Sequence, residues 1–189
     1  RFSSHYQGDP LSAYCALRER SPTPFSAYLE MAGGTLLSLS PERFIEVQNG
    51  RVETRPIKGT RPRGSSPQQD QALAEELQRC EKDRAENLMI VDLLRNDLGR
   101  SCEPGSIRVP ELFSLESYPN VHHLVSSITG RLRSDSDTID LLMHAFPGGS
   151  ITGAPKRRAL EIIRAVETER RGPYTGTIGG LRADGGQDW

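Results

Sequence analysis

The sequence predicts an α+β domain built mainly from antiparallel sheet. Four strand-like runs come in two pairs, and helical periodicity follows them. These runs span residues 25–31, 35–39, 43–48 and 51–55. Asn49-Gly50 separates the second pair, and this dipeptide is a strong signal for a two-residue hairpin turn. Strands and helices therefore occur in blocks, which is not the pattern of alternating βαβ units.

Helical periodicity and further strands account for most of the remaining chain. A short helix is predicted over residues 11–20, because Pro22 and Pro24 follow it. After a polar loop at 61–69, apolar residues recur at helical spacing through two segments that end near Gly99. Strands are then predicted at 106–115, 122–132 and 175–182, helices at 137–145 and 155–167, and a small-residue loop at 148–156. No domain boundary inside the chain is indicated.

Composition limits the class of protein. The 189 residues carry 24 Lys+Arg against 25 Asp+Glu, and this balance argues against nucleic acid as a partner, since a phosphate backbone is bound by clustered basic residues. No window approaches the roughly 20 apolar residues of a spanning helix, so no membrane partner is expected. Three widely spaced cysteines (Cys15, Cys80 and Cys102) argue against a disulfide framework and favour a reducing, cytoplasmic compartment.

Lys58 is a candidate for a chemical role. It directly follows a predicted strand, in a turn flanked by Pro56 and Gly59. A lysine that is removed from water or placed beside other cations becomes a better base or nucleophile, and Arg55 and Arg61 are the neighbouring cations. The alternative is a solvated lysine in a basic turn.

A pair of carboxylates suggests a metal site. Asp83 and Glu86 are three residues apart in a predicted helix, so both project from one face. Like charges at this distance are unfavourable unless a cation neutralises them, and Mg²⁺ commonly binds one or two carboxylates while keeping its waters. The alternative is an exposed helix surface with ion pairs between successive turns.

The small-residue loop at 146–156 is a candidate anion site. It fails the phosphate-loop pattern because Ala154 stands where lysine is required. Its glycines still allow backbone N–H groups to approach a ligand, and the loop enters a helix at Pro155, which suits a carboxylate. The alternative is a tight loop whose glycines serve geometry alone.

Two further positions carry ionisable side chains. In an alternating strand His122 and His123 face opposite sides of the sheet, so at most one of them points into a site. Glu42 is a single carboxylate in the turn after Ser40-Pro41, with no local indication of its role.

Six motifs occur along the chain in a distinctive order. They are Ser-Pro-Glu-Arg-Phe at 40–44, Arg-Pro-Ile-Lys-Gly-Thr at 55–60, Lys-Asp-Arg-Ala-Glu-Asn-Leu-Met-Ile-Val-Asp-Leu at 82–93, Arg-Asn-Asp at 95–97, His-Leu-Val-Ser at 123–126 and the loop at 146–156. The ordered set resembles the chorismate-utilising enzymes over nearly the whole chain. This resemblance implies a chorismate-binding fold like that of anthranilate synthase component I. Within the family, Pro-Ile-Lys-Gly-Thr resembles the aminodeoxychorismate synthase branch, whereas anthranilate synthases usually carry alanine in place of the lysine.

The resemblance also implies a reaction and its participants. Chorismate would be aminated at C4 in p-aminobenzoate and folate biosynthesis, with ammonia from a separate glutamine amidotransferase subunit and with Mg²⁺ as cofactor. Lys58 would be the nucleophile, Glu42 the general acid, and His123 a contact of the substrate or the leaving oxygen. Glu86 would bind the metal, and Asp83 would contribute directly or through water. The substrate would be bound by Thr152, Gly153, Ala154, Tyr174 and Gly179.

Family members have an additional N-terminal subdomain and a C-terminal segment that completes the carboxylate and metal sites. Residues 1–189 are therefore expected to form a partial chorismate-binding domain, truncated at its C-terminus and without turnover by itself. Gly180 stands where tyrosine is common in the family. The alternatives are anthranilate synthase component I, isochorismate synthase and a non-catalytic binding remnant.

Overall fold

The computed structural model describes residues 4–189 and has the predicted α+β architecture with antiparallel sheets. The chain divides into two compact units, one ending at Glu42 and the other spanning Arg43–Trp189. The sequence indicates no such division. Among the described residues, no helix has the length and apolar character needed to cross a bilayer.

The first unit contains one helix and one hairpin, both at the predicted places. Helix α1 (Pro10–Arg20) begins after Asp9, whose carboxylate accepts a hydrogen bond from the Ser12 amide at 2.8 Å. Strands β1 (Phe25–Met31) and β2 (Gly34–Ser40) pair in an antiparallel hairpin.

The second unit contains a seven-stranded sheet that is organised around its fifth strand in chain order. Its strands are β3 (Arg43–Gln48), β4 (Arg51–Arg55), β5 (Ile57–Pro62), β6 (Arg108–Ser117), β7 (Val121–Arg131), β8 (Gly180–Leu181) and β9 (Gln187–Asp188). Strands β4 and β5 pair with successive parts of β7, and β6 also pairs with it. The predicted hairpin between β3 and β4 is confirmed, with Asn49 at φ 52° and Gly50 at φ 74° in the left-handed region.

Five helices belong to this unit, and the first two of them pack against the sheet. They are α2 (Pro67–Arg79), α3 (Glu81–Leu98), α4 (Thr138–Ala145), α5 (Gly149–Thr152) and α6 (Lys156–Val166). Helix α3 contributes Ile90, Val91, Leu94 and Leu98 to a core shared with β3, β4, β7 and α4. The buried Asn87 amide donates to the Leu124 carbonyl at 3.2 Å and accepts from the Ser126 hydroxyl at 2.6 Å. These bonds satisfy polar groups in the interface and fix α3 on β7.

Three predicted segments differ from the structure. Lys58 lies within strand β5 and not in a turn, because the chain continues to pair with β7 after Pro56. The strand predicted at 175–182 is reduced to Gly180–Leu181, since Thr175 has φ 61° and the preceding residues form hydrogen-bonded turns. The loop predicted at 148–156 contains the single-turn helix α5.

A buried ion pair anchors the start of α6. Lys156 Nζ lies 2.9 Å from Asp97 Oδ2 and donates to the Ala145 carbonyl at 2.7 Å. The side chain of Asp97 is 3% exposed and that of Lys156 is 20% exposed. The lysine therefore joins α6 to the ends of α3 and α4, and it neutralises a carboxylate that has little access to water.

Replacing this lysine should therefore destabilise the fold. The change Lys156→Met leaves the Asp97 carboxylate buried without its partner, which should reduce the free energy of unfolding by about 3–5 kcal/mol. Arg157→Met is the matched control, because its side chain is 95% exposed. Urea unfolding of both variants would contradict the assignment if their losses of stability were equal.

Candidate active site

The pairing of β5 with β7 brings two of the sequence motifs together. Ile57 lies opposite Val125 and Thr60 lies opposite His123, so three steps along β5 match two along β7. The extra residue forms a bulge at Gly59, which has φ 94°. Directly paired residues share a face of the sheet, and Thr60 therefore meets His123 across the strands.

His123 is enclosed by polar and aromatic neighbours. Its Nδ1 atom lies 2.9 Å from Thr60 Oγ1, and its ring meets the Tyr118 ring edge-on with 5.6 Å between centroids. The residue is only 9% exposed. Burial lowers the pKa of His123 below 6.5, although the charge of Glu116 and a hydrogen bond to the Gly59 carbonyl act in the opposite direction. The imidazole is therefore neutral near neutral pH.

His122 has a different set of partners. Its Nε2 atom lies 2.9 Å from Asp70 Oδ1, and its Nδ1 atom lies 2.8 Å from Ser117 Oγ. The Arg63 guanidinium holds the pKa of Asp70 well below its usual range, and hydrogen bonds from the Gly64 amide and from His122 lower it further. His122 thus connects β7 to α2, and His123 is the histidine that remains near Lys58 along β5.

The two candidate metal ligands have unlike environments. Asp83 packs over the bulge, where a Cβ atom on Gly59 would lie 3.0 Å from Asp83 Cβ, and its Oδ2 atom is 3.1 Å from Arg61 Nη1. The Glu86 side chain is 48% exposed, and it forms a long ion pair with Lys82 at 3.9 Å. Arg61 therefore already neutralises Asp83, whereas Glu86 is accessible to a divalent cation.

Glu86 fits Mg²⁺ in chemistry, since its carboxylate is accessible, and it lies one turn beyond Asp83 on α3. Asp83 Oδ2 is held by the Arg61 guanidinium, so Asp83 fits as a ligand through water. Mg²⁺ prefers such oxygen ligands and keeps several waters. Residues 4–189 contain no group of three or more His, Cys, Asp or Glu side chains that could hold a metal ion. A site at Asp83 and Glu86 would thus rely on waters or substrate for its remaining ligands.

Lys58 is half-buried on β5, and its Nζ atom donates to the Ile57 carbonyl at 3.2 Å. The two arginines that flank it in sequence are both paired with carboxylates. Arg55 binds Glu116, and Arg61 binds Glu76 at 2.9 Å as well as Asp83. The two arginines were expected to act on the lysine as neighbouring cations, but carboxylates already balance their charges.

Some of the loop residues predicted to bind a carboxylate already use their backbone amides in hydrogen bonds within the loop. The Thr152 amide donates to the Gly148 carbonyl at 3.2 Å, and the Gly153 amide donates to the Gly149 carbonyl at 2.8 Å. Both bonds belong to the turn of α5. Of the three candidate residues, Ala154 is the one whose amide these bonds do not use. Ala154 is exposed, so its amide is available to a ligand.

The remaining candidate residues lie in separate surroundings. Tyr174 is exposed in a turn that Arg171 and Pro173 close through backbone hydrogen bonds. Gly179 lies under the Trp189 indole, where a Cβ atom would approach a ring carbon to 1.7 Å. Glu42 belongs to the first unit, where its amide bonds to Ser40 Oγ at 3.2 Å.

Thr60 and Tyr118 contact His123 although the sequence assigns neither of them a role in the site. A glycine inside a strand-like run indicates a bulge, so Gly59 was the signal available for Thr60. A bulge at this glycine makes 57–62 one strand and directs Thr60 towards β7. No comparable local signal identifies Tyr118, which approaches His123 through the turn between β6 and β7.

The architecture and the residues gathered around β5 are those of a chorismate-binding domain. The solved structure of anthranilate synthase component I from Streptococcus pneumoniae superimposes with a TM-score of 0.86 at 38% identity, covering 97% of this chain and 40% of that one. The family model described as chorismate binding enzyme matches residues 1–189. The chain belongs to this family, and the predicted fold and family are confirmed.

Individual relatives carry two different names within the family. Aminodeoxychorismate synthase component 1 from Salmonella typhimurium is 55% identical over 100% of this chain and 41% of its own length. Anthranilate synthase component 1 from Saccharolobus solfataricus is 45% identical over 97% of this chain and 44% of its own length. The chain therefore spans less than half the length of these relatives.

Any side chain at Gly59 should destabilise the bulge. The change Gly59→Ala places a methyl group 2.9 Å from Leu77 Cδ1 and 3.0 Å from Asp83 Cβ. Gly105→Ala is the control, because Gly105 also has a left-handed φ of 75° but has nothing within 4 Å of the new atom. In urea unfolding, Gly59→Ala should lose about 1–3 kcal/mol more than Gly105→Ala. Equal losses would mean that the contact with α3 imposes no constraint.

His123 should give the stability a specific pH dependence. Because burial lowers its pKa in the folded state, the unfolded chain binds this proton first as the pH falls through 6.5. The free energy of unfolding should then decrease below that pH. Urea titrations at about pH 7.5 and about pH 5.5 should show a smaller decrease for His123→Gln than for the wild type. The same decrease in both proteins would contradict the lowered pKa.

Proposed function

We propose that this chain forms part of the catalytic domain of an enzyme that converts chorismate to 4-amino-4-deoxychorismate, in p-aminobenzoate and folate biosynthesis. The main support is the Pro-Ile-Lys-Gly-Thr segment on β5, which contacts β7 at His123 and α3 at Asp83. The 55% identity to an aminodeoxychorismate synthase component 1 supports the same assignment. The three cysteines are free, which suits the reducing cytoplasm in which we place the reaction.

Lys58 would act as the nucleophile. Its amine would form a C–N bond to the chorismate ring while the bond from C4 to its hydroxyl breaks. Glu42 would donate a proton to that hydroxyl, which leaves as water, because hydroxide alone is a poor leaving group. Ammonia would then form the new C–N bond at C4 as the lysine amine departs, so that one difficult displacement is divided into two easier ones.

His123 and the carboxylates of α3 would support these steps. A neutral imidazole can hydrogen-bond to the substrate or the leaving oxygen without adding a positive charge. Glu86, with Asp83 directly or through water, would hold Mg²⁺, which when bound draws electron density towards the ring carboxylate. Thr152, Gly153 and Ala154 would contact a carboxylate of the substrate, and Tyr174 and Gly179 would border the pocket.

The source of ammonia would be a separate glutamine amidotransferase subunit. The words "component 1" in the name of the relative from Salmonella typhimurium support a partner component. Anthranilate synthase activity is the second candidate, because a relative of that name is 45% identical and a solved structure of that name is 38% identical. The product formed from chorismate distinguishes the two functions.

The full-length protein should form 4-amino-4-deoxychorismate from chorismate, ammonia and Mg²⁺, as identified by mass spectrometry against standards. Lys58→Ala should lower the rate of this reaction by about 100-fold or more, because it removes the nucleophile. Arg79→Ala is the control, since Arg79 is exposed on α2. Formation of anthranilate or isochorismate would overturn the assignment. An unchanged rate in Lys58→Ala would exclude the covalent route.

A further inference from the structure

The bulge on β5 determines which side chain meets His123. Between Ile57 and Thr60 the strand contains one residue more than β7 does between Val125 and His123. A regular strand would place Thr60 on the face opposite to Ile57, because side chains alternate. The bulge instead puts both on the face that His123 shares, with the Thr60 hydroxyl 2.9 Å from His123 Nδ1.

The other side of the His123 ring is held by a second chain of contacts. The Tyr118 ring meets it at an interplanar angle of 60°. The Tyr118 hydroxyl donates to Glu116 Oε2 at 2.7 Å, and Arg55 binds the other oxygen of the same carboxylate. Tyr118 is therefore itself fixed in orientation, and the imidazole is confined by the Thr60 hydroxyl, the edge of an aromatic ring and a hydrogen bond to the Gly59 carbonyl.

Confinement of this kind matters for a neutral histidine. A neutral imidazole has one donor nitrogen and one acceptor nitrogen; a threonine hydroxyl can bond to Nδ1 in either tautomer, whereas the Gly59 carbonyl can only accept. The terminal torsion of histidine is broad, so packing and hydrogen bonds must select the ring orientation. Thr60 supplies the side-chain hydrogen bond to Nδ1, and it immediately follows the Lys58-Gly59 pair in the chain.

We propose that Thr60 is a positioning residue that fixes the orientation of the His123 ring for the reaction proposed above. This inference rests on the proposed function, because the role of His123 in the reaction does. Thr60 itself acts through the histidine and does not touch the reacting atoms. The geometry that supports the proposal is the bulge, the hydrogen bond and the enclosure of the ring by Tyr118.

The ring orientation can be tested without substrate. The chain has four histidines (His5, His122, His123 and His144), and His123→Gln identifies the ring signals in question. The wild type should show one sharp set of His123 ring signals, and Thr60→Val should show broadened or doubled signals, since valine keeps the shape but cannot hydrogen-bond. Thr60→Ser should restore the single set. Thr129→Val is the matched control on β7, where Thr129 pairs with Glu53 and Arg108.

The catalytic consequence is measured in the full-length protein. Thr60→Val should lower kcat by about 10-fold to 100-fold with little change in KM, and Thr60→Ser should recover most of it. A full-length wild type that forms no 4-amino-4-deoxychorismate would overturn the proposed function. An active wild type whose Thr60→Val variant keeps both its single set of His123 ring signals and its kcat would overturn the positioning role alone. If Thr60→Val does not fold, a full kcat in Thr60→Ala would have the same meaning.

Discussion

The pairing of β7 with its neighbours is the constraint on which the second unit depends. β7 is buried along most of its length, and its two faces have different partners. Ser126 and Ile128 meet α3 and the core, whereas His123 and Ser127 contact Thr60 and Glu53 through polar bonds. A slip of one residue would exchange these two sets, burying polar groups in the core and removing His123 from its partners. The hydrophobic core and the candidate site are thus fixed by the same register.

Charge pairing defines which groups are available to a ligand. Arg55, Arg61 and Lys156 are each bound to a carboxylate, namely Glu116, Asp83 and Asp97. A dicarboxylate such as chorismate would have to displace these carboxylates to use the same cations, which costs much of the energy that it gains. Among the described residues, recognition of the substrate in the proposed reaction therefore falls to a metal at Glu86 and to backbone amides. The arginines have a structural role, since they join β5 to α2 and α3 and β4 to β6.

Local signals in the sequence were enough to predict most of the fold. The hairpin at Asn49-Gly50, the end of α3 near Gly99 and the strands β6 and β7 follow from turn chemistry and periodicity, whereas β5 was not predicted. The prediction of a strand over 175–182 was largely wrong, because Thr175 adopts a left-handed conformation that a threonine in the sequence does not indicate. The candidate site was harder to predict. Spacing along a helix placed Asp83 and Glu86 on one face, but only tertiary structure shows that Arg61 occupies one of them and that Tyr118 lies against His123.

Gly59 connects the fold and the chemistry through two independent requirements. Its left-handed φ produces the bulge that aligns Thr60 with His123, and its missing side chain admits Asp83 and Leu77 from the helices. Another residue could adopt φ 94° at some cost, but any Cβ atom would also collide with α2 and α3. Lys58 and Thr60 flank this glycine directly, so the position of the bulge sets where both side chains enter the site. The compact motif Lys-Gly-Thr is therefore explained by geometry: the proposed nucleophile and the residue that orients His123 share one irregularity in one strand.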